Sequence, residues 1–147
     1  MVVAGSLFFL GLGWLPLLEP DEGRNAEVAR EMLASGDLIT PHFNTLPYLD
    51  KPPVFFWLVA GCFHLVGVSE LTARLPSALA ALATMLLVWF LARRMFGDGA
   101  RLRAGIVLAT SPLVIAFSRL VIFDMTLAFL MTLAMTSFWL ADRKSVV

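Results

Sequence analysis

The chain has 147 residues, 59% of them hydrophobic and only 15% charged, with a mean hydropathy of +0.84. A soluble domain carries about a quarter charged residues, so this composition points to lipid as the natural solvent. Eleven basic and eleven acidic residues cancel, which gives no reason to expect nucleic acid or an acidic polymer as partner, and the single cysteine, Cys62, excludes an internal disulfide or a multi-cysteine metal cluster.

Met1 to Leu18 carries no charged side chain and is long enough to cross the hydrocarbon core. With no basic n-region and no small-residue cleavage site it reads as a first span and not as a cleaved signal. In the next stretch Pro20-Asp21-Glu22-Gly23 predicts an N-cap and a helix from about Arg24 to Ser35, stopped by Gly36. Ala26, Ala29, Met32 and Leu33 recur at helical spacing opposite Arg24, Glu27, Arg30 and Glu31, the pattern of a helix lying on a membrane surface. Pro52 to Val68 is apolar but contains His64 and is led by two prolines. Leu75 to Ala92 is an uncharged second span followed by Arg93 and Arg94. Ala104 to Ser118, between Arg103 and Arg119, is a short third whose flanking arginines can snorkel outward, and Leu120 to Ala141 is a fourth, interrupted by Asp124.

Orientation follows from the basic residues. Arg93, Arg94, Arg101 and Arg103 after the second span, and Arg143 and Lys144 near the chain end, belong on the cytoplasmic side. Residues 19–74 then form an outer loop holding Glu19, Asp21, Glu22, Glu27, Glu31, Asp37, Asp50 and Glu70 against Arg24, Arg30, Lys51 and Arg74. A full crossing by Pro52 to Val68 would put the four-arginine connection outside, so that stretch is expected at the interface, with Trp57, Trp89 and Trp139 in the aromatic belts. The expected fold is all-α and integral to the membrane, with four transmembrane helices (about 1–18, 75–92, 104–118 and 120–141) and juxtamembrane helices in the first outer loop.

Three places can carry chemistry. Asp21 and Glu22 stand where backbone N–H groups and the helix dipole favour negative charge, and a carboxylate there can act as general base toward a hydroxyl or amine; plain N-capping is the alternative. Lys51 precedes Pro52 and Pro53, whose fixed backbone presents the ammonium on a stiff segment suited to a lipid phosphate, or merely to headgroups. Asp124 lies about a turn inside the fourth span, where an acid needs either a cavity or a partner, for which Arg119 is the candidate. His42 and His64 lack the spacing of a zinc site, and no nucleotide-binding loop is present.

The ordered strings Pro20-Asp-Glu-Gly-Arg-Asn-Ala-Glu-Val-Ala-Arg-Glu-Met-Leu-Ala-Ser-Gly-Asp37, Thr40-Pro-His-Phe-Asn44, Tyr48-Leu-Asp-Lys-Pro-Pro53 and Ala73-Arg-Leu-Pro-Ser77 closely resemble the N-terminal part of the polyprenyl-phosphate-sugar glycosyltransferases. This is the protein O-mannosyltransferase superfamily, here nearest to the bacterial lipid A 4-amino-4-deoxy-L-arabinose transferases. The resemblance runs from about Trp14 to Asp124. It implies a GT-C membrane fold in the plasma (inner) membrane, with the catalytic loop on the outer, periplasmic face, and a chain that corresponds to only the first part of a longer enzyme. It implies catalytic roles for Asp21, with Glu22 beside it, and for Asp124, and a donor-phosphate contact at Lys51. Arg24 and Tyr48, from the same strings, are candidate substrate-binding residues. Asp50 falls at a position associated with a divalent metal ion, although the family more often has Glu there. The implied partners are a polyprenyl-phosphate-linked sugar, membrane lipids and an outer-face acceptor such as lipid A, a glycan or a protein hydroxyl. The competing expectations are a small non-catalytic scaffold protein with the same fold, or a transporter piece, which would place its acid or a broken helix at mid-bilayer.

Overall fold

The structure is a computed structural model that describes residues 6–145, with side chains through Asp142. The side chains of Arg143 and Lys144 and the first five residues of the expected first span therefore lie outside the described part. Within that span, residues 7–14 form successive turns. Gly11 takes a left-handed φ of 77°, which breaks a continuous helix.

The outer segment contains α1 (Asp21–Ser35), a minimal hairpin of β1 (His42–Phe43) and β2 (Leu46–Pro47), and α2 (Val54–Val66). Gly36 ends α1 at φ 73°, its N–H donating to the Met32 carbonyl, the left-handed stop expected of glycine. The helix begins three residues earlier than the sequence suggests, with Pro20 at the N-cap position and no side chain capping it. The strands pair antiparallel, His42 with Pro47 and Phe43 with Leu46. Ala26, Val28, Ala29 and Met32 of α1 pack on Phe55, Phe56, Val59, Ala60 and Phe63 of α2, and Ala73 and Val121 close this core. The expected surface helix thus lies on α2, with Arg24, Glu27, Arg30 and Glu31 away from that contact.

α3 (Glu70–Phe96), α4 (Asp98–Ala109), α5 (Pro112–Ser118) and α6 (Asp124–Ser145) follow. A capping box starts α3: the Ser69 hydroxyl accepts from the Thr72 N–H, and Thr72 Oγ1 accepts from the Ser69 N–H. α3 is the hub, packing against α2, α4, α5 and α6, and a second core joins Phe8 and Leu12 to Ala78, Ala81 and Met85 of α3, Ala109 and Met125. Among the described residues, two helices are long and apolar enough to cross a bilayer, Glu70–Phe96 and Asp124–Asp142. A third crossing is present if α4 and α5, bent by 61° at their break, count as one span. The structure therefore shows a mostly helical membrane architecture, broken only by the small hairpin among the described residues, without confirming four spans. The third expected span is split because Pro112 lacks the N–H that would continue α4, and the fourth begins at Asp124 because residues 119–123 form a turn.

Candidate active site

α1 sets two adjacent carboxylates in opposite surroundings, since successive helical residues diverge by about 100°. Asp21 points outward, its side chain 64% exposed, and pairs with Arg24 one turn on. It caps no backbone N–H, which corrects the expectation of N-capping. Glu22 points inward and is 2% exposed. Its Oε1 accepts from Arg74 Nε at 3.0 Å and from the Val121 N–H at 2.8 Å; its Oε2 accepts from Arg74 Nη2 at 2.9 Å and from the Leu18 N–H at 2.9 Å. Burial alone would raise the Glu22 pKa, but the guanidinium and the two backbone N–H groups outweigh it and hold the group below the usual glutamate value. With both oxygens engaged and no exposure, Glu22 has no free lone pair for a substrate, so the structure moves it from base candidate to structural anion.

The outward side chains form a chain of contacts. The Arg24 guanidinium, bound to Asp21, lies 5.9 Å from the Tyr48 ring centroid. The Tyr48 hydroxyl donates to Asp50 Oδ2 at 3.2 Å, and Lys51 Nζ stands 3.1 Å from the same oxygen. Lys51 Nζ also sits 5.1 Å from the Phe123 ring centroid, and Phe123 immediately precedes Asp124. Tyr48 is seated edge-on against Phe43 and Phe56, each at 6.3 Å, which fixes its ring on the α1–α2 core. Burial, with Asp50 beside the hydroxyl, raises the Tyr48 pKa and keeps it a donor, while the Lys51 ammonium draws Asp50 downward. The structure thus brings Asp21, Arg24, Tyr48, Asp50 and Lys51 into one row at the end where α6 begins.

Asp124 is the first residue of α6 and half-buried. The ion pair with Arg119 does not form; Arg119 Nη2 donates instead to the Leu7 carbonyl at 2.7 Å, and among the described residues Asp124 makes no salt bridge. Asp50, the metal candidate, gives Oδ2 to a phenol and an ammonium, and no three His, Cys, Asp or Glu residues gather around a cation site among the described residues. A lysine ammonium in contact with the same oxygen does not suit a divalent ion, so these residues do not fit the metal role.

Four participants were not singled out in the sequence. Arg74 donates from every guanidinium nitrogen, to Glu22 and to the carbonyls of Leu12, Leu15 and Pro16 at 2.6, 2.8 and 3.0 Å. Asn25 Nδ2 donates to the Val121 carbonyl at 2.8 Å, Ser77 Oγ to the Ile122 carbonyl at 3.2 Å, and Phe123 carries Lys51. The sequence carried no clear signal for them: Arg74 counts there as the last base of the outer loop, and only the structure places it four residues inside α3.

Known proteins share both the fold and the sequence of this chain. The chain is similar to a crystal structure of ArnT from Cupriavidus metallidurans bound to undecaprenyl phosphate, with a TM-score of 0.88 and 38% identity over 92% of this chain and 25% of that one; the apo form of the same protein matches equally. It is 40% identical over 130 residues to an undecaprenyl phosphate-alpha-4-amino-4-deoxy-L-arabinose arabinosyl transferase of Edwardsiella ictaluri, covering 88% of this chain and 24% of the relative. A second arabinosyl transferase of that description, from Sodalis glossinidius, is 34% identical over 142 residues, covering 96% and 26%. The chain therefore spans about a quarter of the length of the curated relatives it matches. Fold and sequence together define an integral membrane protein built as the N-terminal portion of a GT-C glycosyltransferase. Residues 50–145 match the model of the dolichyl-phosphate-mannose-protein mannosyltransferase family, and the chain belongs to that family.

Proposed function

We propose that this chain supplies the donor-facing part of an enzyme that transfers a sugar from a polyprenyl phosphate to an acceptor on the outer face of the plasma membrane, such as lipid A, a glycan or a protein hydroxyl. The observation that carries this reading is the row from Asp21 to Lys51, in which two carboxylates and two cations share one edge beside the first residue of a span. Relatives named as arabinosyl transferases, and the neighbour that binds undecaprenyl phosphate, support it.

In such a transfer the bond from the sugar to the phosphate oxygen breaks while the acceptor oxygen or nitrogen bonds to the same carbon. The phosphate leaves with the electron pair and the acceptor loses a proton. Asp21, outward and exposed, takes the role of base. Lys51, stiffened by Pro52 and Pro53, meets the departing phosphate as a point charge, and Arg24, aligned over Tyr48, adds a second cation. Asp124, next in sequence to the Phe123 that meets Lys51, supplies a further acid to the site.

The test is binding of undecaprenyl phosphate to the chain in phospholipid nanodiscs. Losing a charge-assisted contact in Lys51→Ala should weaken binding by about ten- to a hundredfold. Lys51→Arg should recover only part of it, because a planar fork does not replace a point charge. Unchanged binding in Lys51→Ala would reduce Lys51 to a headgroup anchor.

A further inference from the structure

We propose that Glu22, Arg74 and Asn25 are positioning residues that lock the turn 119–123 so that Phe123 is held under the Lys51 ammonium. The functional consequence rests on the reading of Lys51 as a phosphate contact; the placement itself does not.

The turn between α5 and α6 has little to hold it from its own sequence, Arg119 to Phe123 being mostly apolar. Its backbone polar groups must nevertheless be satisfied. The Val121 N–H goes to Glu22 and the Val121 carbonyl to Asn25, both on α1 and both buried bonds of 2.8 Å. The Ile122 carbonyl takes the Ser77 hydroxyl of α3. Val121 itself is fully buried in the α1–α2 core. Three elements therefore fix two consecutive residues, and the next residue is Phe123.

Glu22 reaches the turn only because Arg74, 52 residues away, compensates its charge. The pair is 5% and 3% exposed, and a buried ion pair of this kind is weak as a source of net stability yet severe in its loss. Its distinctive use here is geometric. Arg74 also collects three carbonyls from residues 12–16, so that the entry to α1, α1 itself, α3 and the start of α6 meet at one guanidinium–carboxylate centre. A swap of the two charges cannot reproduce this, since an arginine at position 22 accepts no hydrogen bond from Val121.

Lys51 and Lys144 are the only lysines, which makes a direct measurement practical. In the full chain in phospholipid nanodiscs, reductive methylation with a ¹³C label gives resolvable dimethyl-lysine signals, and the Phe123 ring should shift that of Lys51. Phe123→Ala identifies the shift. Asn25→Ala removes one bond and no charge, and Arg74→Lys keeps the charge while losing the fork, its added dimethyl-lysine signal being identified as the one that persists in Arg74→Lys combined with Lys51→Arg; both should collapse the ring shift while the helical circular dichroism of Asn25→Ala stays that of the parent. Addition of undecaprenyl phosphate, but not undecaprenol, should move the Lys51 signal. Asn25→Ala should need about ten times more lipid, the scale of one buried hydrogen bond. A Lys51 signal that Phe123→Ala, or Asn25→Ala and Arg74→Lys together, leaves in place overturns the positioning role. A parent chain whose Lys51 signal ignores undecaprenyl phosphate overturns the phosphate reading and the functional consequence drawn from it, while the ring shift still decides whether these residues place Lys51.

Discussion

Asp21 and Glu22 differ by one methylene and one position, yet burial and hydrogen bonding divide their tasks. Asp21 caps nothing, so Asp21→Asn should leave helix content and insertion intact. Grafted in place of the matching quarter of the Edwardsiella ictaluri arabinosyl transferase, that variant should turn over about 10² to 10⁴ times more slowly than the unaltered graft, the usual contribution of a general base. Near-normal turnover would end the assignment. Glu22→Gln should act on stability instead, since removing one partner of a buried pair costs about 3 to 5 kcal/mol. The pH dependence has a definite sign: the folded Glu22 pKa lies below the ordinary 4.5, so its stabilisation is complete above 4.5 and is lost as pH falls from there through the folded value. Thermal unfolding between pH 6 and 3 should drop more steeply for the parent than for Glu22→Gln, and parallel curves would contradict the shift.

At the scale of elements, the hairpin is held less by its own strands than by α1. Asn44 and Thr45 both take left-handed backbone, φ 53° and 67°, as a two-residue type I′ turn requires. Their N–H groups donate to the two Glu31 oxygens at 2.8 and 3.2 Å. A β-branched residue at positive φ is strained by about 1 to 2 kcal/mol. Thr45→Gly should therefore stabilise the hairpin slightly and Glu31→Ala should loosen it, read as slower and faster amide exchange at residues 42–47; the reverse order would mean that the Thr45 side chain is itself an anchor. What was legible in the sequence at this scale was local chemistry: the Gly36 stop, the inward positions Ala26, Ala29 and Met32, and an apolar helix after two prolines. The start of α1 was misplaced because Asp21 looked like a cap, whereas the helix already includes it. The row from Asp21 to Lys51 was legible only as separate strings, since periodicity does not say that Tyr48 would bridge Arg24 and Asp50. The Glu22–Arg74 centre was not legible at all, because neither residue's neighbours in sequence name a partner 52 positions away.

For the whole molecule the open geometric question is whether α4 and α5 cross the bilayer or turn back. Asp98, at the start of α4, pairs with Arg93 near the C-terminal end of α3 at 3.2 Å. The turn after α5 is bonded to Ser77 near the N-terminal end of α3 and to α1. Ser77 and Arg93 lie about 24 Å apart along α3 at 1.5 Å per residue, most of the thickness of a hydrocarbon core. The bent pair therefore runs along most of α3, the course that a single broken span would take. α6 then starts on the same side as α1 and runs back beside α3. With Arg93, Arg94, Arg101 and Arg103 at the far end, that end should be cytoplasmic. In a Cys62→Ala background, Asn44→Cys should react with an impermeant maleimide on intact cells, while Gly99→Cys and Asp142→Cys should react only after permeabilisation. If Gly99→Cys labels from outside and Asn44→Cys does not, the orientation is inverted and the candidate site faces the cytoplasm. If Asn44→Cys and Asp142→Cys label together while Gly99→Cys stays protected, α6 runs the other way, and the hydrogen bonds that tie residues 121 and 122 to α1 and α3 cannot all exist in the membrane.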